Sequence, residues 1–122
     1  MREKNQGIVA ELPYTEGSVW SVRFVRTEPG KTRAYLKSLG AEWKRLMDEA
    51  KRQSVILSYR ILVTSIANRD DWDVMLVVEV KNMAALDGFS EKMAAVATKV
   101  AMKRSEFGEI LSMRLLREIT LK

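Results

Sequence analysis

Four stretches of this chain alternate apolar and polar side chains with a period of two, and two stretches with a helical period of three to four separate them. In the first, Ser18–Thr27, Trp20, Val22 and Phe24 stand against Ser21, Arg23 and Val25, which predicts a strand. Pro29-Gly30 breaks it, and a proline beside the first helical position favours a helix start. From Lys31 to Arg52 the apolar residues Leu36, Leu39, Trp43, Leu46, Met47 and Ala50 recur at helical steps. Lys51 and Arg52 close that helix where positive charge complements its dipole.

A second strand is predicted over Val55–Ile66, with Val55, Leu57, Tyr59, Ile61 and Val63 on one face. The polar run Ala67–Asp71, which includes Asn68, is short enough for a hairpin into a third strand, Trp72–Val80. That strand sets Trp72, Val74, Leu76, Val78 and Val80 against Asp73, Met75, Val77 and Glu79. Asn82 is the expected N-cap of a second helix, with Met83, Leu86, Phe89, Met93, Val96 and Val100 as its stripe. Gly88 lies inside this stripe and predicts a kink or break. Ser105–Leu111 is expected to add a helical turn or two before a last strand, Met113–Leu121.

The order strand, helix, strand, strand, helix, strand predicts an α+β, ferredoxin-like βαββαβ fold, an antiparallel sheet with both helices on one face. Residues 18–122 form this one domain, and residues 1–17 an N-terminal extension. A chain of 122 residues fits a single core.

One face of the sheet is expected to be almost wholly apolar and to lie under the helices. The other mixes Val25, Ile56, Leu62, Met75, Val77 and Leu116 with Arg23, Arg60, Asp73, Glu79 and Glu118. So much apolar surface calls for a cover, and a second copy of the chain is the simplest one. The charges then need partners, because an unpaired buried ion is costly. Either they pair across the interface, or Arg23 and Arg60 hold an anionic or carbonyl ligand, or the face stays partly solvated.

The chain has no cysteine and no histidine, which removes disulfides, thiolate nucleophiles, the usual zinc ligands and the usual general base. No metal site and no cofactor are expected. The net charge is +5, and residues 31–53 hold seven basic side chains against three acidic ones. This is read as a solvated helix face, and neither nucleic acid nor membrane is expected as a partner. An RNA-binding sheet of this topology would carry exposed aromatics on its central strands, and WDVMLVVEV has none in its interior. No apolar run is long enough to cross a bilayer. The N-terminal residues lack the apolar stretch of a secretory signal, so a cytoplasmic protein is expected.

Val19-Trp20, EPGK (Glu28–Lys31), YLKSLGAEWKRLMDEAKRQSVILSYRIL (Tyr35–Leu62) and DDWDVMLVVEVKNMAALDG (Asp70–Gly88) together resemble the dimeric α+β barrel superfamily. The likeness covers most of residues 18–121 and is nearest to that group's uncharacterised bacterial members. It implies a homodimer whose two sheets face each other. The haem-binding members use a histidine, which this chain lacks. The antibiotic-biosynthesis-type monooxygenases surround an aromatic substrate with Asn, Trp, Tyr and Arg, and Tyr35, Trp43, Tyr59, Asn68 and Trp72 are residues of those types.

Two functions follow as alternatives. One is a small-molecule-binding or accessory protein with a pocket between helices and sheet, where Trp20, Phe24, Tyr35, Trp43, Met47 and Met93 gather. The other is a cofactor-independent monooxygenase-like enzyme acting on an aromatic or enolic substrate. The candidate ligand-binding residues are Arg23, Arg60, Tyr59, Trp43, Tyr35 and Trp20, and core packing explains the aromatic ones equally well.

Overall fold

Valine-rich segments pair best in the interior of a sheet, and in the computed structural model, which describes residues 11–64, 71–103 and 107–122, VMLVVEV takes such a place. This strand, β3 (Val74–Val80), lies between β2 (Ser58–Val63) and β1 (Tyr14–Thr27). β4 (Gly108–Leu121) completes the antiparallel sheet in the order β2-β3-β1-β4. This is the ferredoxin-like arrangement. Val19 pairs with Val80 and Val25 with Val74, while Tyr59 opposes Val78. β1 and β4 run on past β3 as a two-stranded ribbon, with Tyr14 opposite Leu121.

Helix α1 (Thr32–Ser38), a π-helical turn (Leu39–Trp43) and helix α2 (Lys44–Arg52) follow one another without a break, as the helical stripe predicted. Tyr35, Leu39, Trp43, Leu46, Met47 and Ala50 are buried against the sheet. Asn82 caps a short 3-10 turn (Met83–Leu86) through Ala85 N–H. Gly88, at φ 67°, then admits helix α3 (Phe89–Lys99), so the break falls where it was predicted. Glu49 binds Arg52 at 2.5 Å and Lys99 at 2.8 Å, tying α2 to α3. Arg45, one turn earlier on α2, donates to the Val100 carbonyl at 2.6 Å, so the C-terminal end of α3 is held at two points.

Several expectations are corrected. Val19 and Val25 are in the core, and their strand parity places Ser21 and Arg23 on the helix side and Trp20, Val22 and Phe24 on the open face. Both sets of β1 are rich in apolar groups, so alternation alone fixed the period and left the face to tertiary packing. Ile56 is buried in the core too, because the chain there is still leaving α2 and its N–H bonds to the Ala50 carbonyl. Trp72 and Asp73 precede β3 and do not share its alternation: Trp72 packs on open-face Phe24, while Asp73 reaches the start of α1. Gly108–Leu111 is strand, not helix, since its pairing with the last residues of β1 outweighs local helix propensity. The first strand begins at Tyr14, four residues before the predicted start. Of the expected hairpin turn, all but Asp71 lies outside the described residues, Asn68 included.

Candidate functional site

A side chain on the helix side of a central strand is normally apolar, because it meets the core. Arg23 sits at such a position, between Leu76 on β3 and Met113 on β4. The space beside it is a cavity of about 520 Å³ between the helical rod and the sheet. Its walls are Tyr35, Leu39 and Trp43 from the rod, Leu76 from β3, Met102 from the segment after α3, and Gly108, Glu109 and Ile110 from β4.

Local chain geometry shapes each wall. The π-helical turn spans Leu39–Trp43, and both of its end residues line the cavity. Such widened turns recur at functional sites because they re-aim side chains within an otherwise regular helix. Gly108 lets β4 approach the rod: a Cβ there would stand 2.8 Å from Tyr35 Cδ1 and 3.0 Å from Cζ. Trp43 is fixed from outside by the Tyr59 ring, edge-on at 5.4 Å, and the Tyr59 hydroxyl donates to Asp48 at 2.6 Å.

The electrostatics are lopsided. Arg23 has no carboxylate within salt-bridge distance among the described residues, whereas Glu109 is paired with Arg26 at 3.0 Å. Burial pushes the Tyr35 hydroxyl up, and the nearby Asp73 charge adds to the effect. Asp73 is held by the Thr27 N–H at 2.9 Å and by the Thr27 and Thr32 hydroxyls. The cavity therefore presents a protonated phenol and a guanidinium between apolar walls.

The six predicted candidates separate into two groups. Arg23, Tyr35 and Trp43 line the cavity, and Tyr59 supports it from behind. Trp20 and Arg60 lie on the opposite, open face, where the guanidinium rests over the indole at 5.3 Å. Around them Trp20 Nε1 donates to Glu118 at 3.0 Å, and Glu79 accepts from Ser18 at 2.5 Å and Ser58 at 2.6 Å. These hydroxyl donors, with Arg60 nearby, hold the Glu79 carboxyl below its ordinary range. Leu39 and Leu76, read only as core, and Met102, Gly108, Glu109 and Ile110 were missed as cavity residues, the last four without any such reading. Their signal was Gly108 before the β-branched Ile110, hidden by the expectation of a helical turn there.

No protein-family model matches the chain, and no curated protein does. Solved structures do resemble it. HapK from Hahella chejuensis is 10% identical, with 82% of this chain and 91% of that one covered at a TM-score of 0.54. Protein SO0527 from Shewanella oneidensis is 16% identical, with 88% and 96% covered at 0.53. A dimeric ferredoxin-like protein from an uncultured marine organism is 12% identical, with 88% and 90% covered at 0.50. At such identities the likeness shows the fold, which is ferredoxin-like. Among the described residues no helix is long and apolar enough to cross a membrane.

Proposed function

We propose that this chain is a homodimeric binding protein that takes a small, largely apolar molecule into the cavity between the helical rod and the sheet. The observation that carries the reading is the convergence of Trp43, Leu39, Leu76 and Tyr35 around an open volume of about 520 Å³. That size lies within the range typical of ligand sites, about 300–1,000 Å³.

The dimer is supported by the open face. Leu62 and Leu116 on it are 51% and 54% exposed, beside Trp20, Phe24 and Met75. Apolar surface of that extent marks an interface. The marine ferredoxin-like relative in fold is itself dimeric.

A thermal-shift screen with aromatic and aliphatic metabolites tests the binding reading. At least one compound is expected to raise the melting temperature in proportion to its occupancy, since a ligand of the folded state stabilises by mass action. Trp43→Ala is expected to remove that shift while the variant stays folded. A panel that stabilises nothing overturns the reading.

A further inference from the structure

Arg23 stands out in the cavity for the charge it brings to an apolar place. Its neighbours across the sheet on the same face are Leu76 and Met113, and the opposite wall is Leu39 and Trp43. Arg23 is half-buried there, and a guanidinium partly withdrawn from water beside apolar walls gains by pairing with an anion. Among the described residues one other charged side chain lines the cavity, Glu109, and Arg26 already engages it. We infer that the ligand is a monocarboxylate with a flat hydrocarbon body, its carboxylate on Arg23 and its body against Trp43 and Leu39. This rests on the binding reading above and adds the ligand's charge and shape to it.

Three physical points select this class. The planar guanidinium presents a fork of N–H donors that matches the two oxygens of a carboxylate, and such bidentate pairs are among the strong hydrogen bonds. Arg23 is the single cation among the described lining residues and balances a single negative charge, so a dianion would leave one charge uncompensated beside Glu109. Trp43 is locked by the Tyr59 ring behind it, so the part of it that meets the cavity is a fixed apolar wall for a rigid hydrocarbon group.

Calorimetric titration of the whole chain with 2-naphthoate, 2-naphthamide and 2-naphthylmethylamine tests this, because the three share a body and differ in charge. Naphthoate is expected to bind about ten- to a hundredfold more tightly than the amide, the range of a hydrogen bond to a charged group. The amine is expected to bind more weakly than either. Arg23→Met should bring naphthoate down to the level of the amide, and Arg23→Lys should restore part of the difference. Arg60→Met, altered on the far face, should leave the ranking as it is. Equal binding of acid and amide overturns the carboxylate assignment and leaves the binding reading standing. Selectivity that survives Arg23→Met overturns the role of Arg23. If Arg23→Met fails to fold, the acid-to-amide ratio of the unaltered chain still decides whether the ligand is anionic. Failure of all three probes, together with an empty thermal-shift screen, removes the binding reading itself.

Discussion

Gly108 of β4 lies against the ring of Tyr35 with no room for another carbon: a Cβ at Gly108 would stand 2.8 Å from Cδ1 and 3.0 Å from Cζ. Gly108 does not need its glycine for an unusual φ; the close approach alone demands it. Gly108→Ala is expected to destabilise by about 1–3 kcal/mol, the usual cost of overpacking. Tyr35→Leu should relieve part of that loss, with a coupling of about 0.5–3 kcal/mol in a double-mutant cycle followed by urea unfolding. Simple additivity of the two changes would show that the ring and the glycine do not meet.

Gly88 is needed for a different reason, its left-handed φ of 67° at the start of α3. Gly88→Val should cost about 1–2 kcal/mol, and Gly88→Asn less, since asparagine tolerates this region. Equal costs for the two, measured by denaturant midpoint, would point to lost space instead of backbone conformation.

Asp73 joins the end of β1 to the start of α1 through Thr27 and Thr32. Asp73→Ala is expected to lose about 1–3 kcal/mol because it strands the Thr27 N–H and leaves the Thr27 and Thr32 hydroxyls only each other as partners. It should also bring the Tyr35 hydroxyl back toward its ordinary range, since the Asp73 charge helps to raise it. Ultraviolet titration of the three tyrosines reads this directly; an unmoved high-pH transition would show that burial alone sets it.

Stability should fall on acidification. Glu42, Asp48, Glu49 and Glu79 are all held below the ordinary carboxylate range, mainly by hydrogen bonds that their charged forms accept. The unfolded chain then binds protons before the folded one does, so these contributions are whole above about pH 5 and fade as pH drops through the lowered folded-state values. At the alkaline end Tyr35 and Tyr59 act the other way: their raised values mean that the unfolded chain ionises first above about pH 10. Melting temperatures across pH should form a plateau between these limits. A midpoint that rises between pH 5 and 3 would contradict the carboxylate contacts.

The open face makes its own prediction. Leu62→Glu with Leu116→Glu places two charges where a second copy would pack, at residues already exposed in the single chain. Light scattering should find a dimer for the unaltered protein and a monomer for the variant, with the same circular dichroism. A variant that stays dimeric would exclude this face as the contact.

What the sequence by itself determined was the order of strands and helices. Period-two and helical repeats are written by local geometry, so the first helix could be read from Leu36–Ala50 and a strand from Val74–Val80. The Asn82 cap and the Gly88 break were equally local, each resting on one residue's backbone chemistry. What only the tertiary structure decided was which side of the sheet each residue faces and what meets it there. Arg23 and Trp20 are one step out of phase on the same strand, and a one-residue change of parity exchanges their sides. Both faces of β1 carry enough apolar groups to pass for the core, so packing of Val19 and Val25 against the rod settled the matter. The cavity followed from the same long-range pairing. Gly108 reaches Tyr35 across a separation of 73 positions because β4 pairs with β1, and no local pattern in the chain encodes that approach.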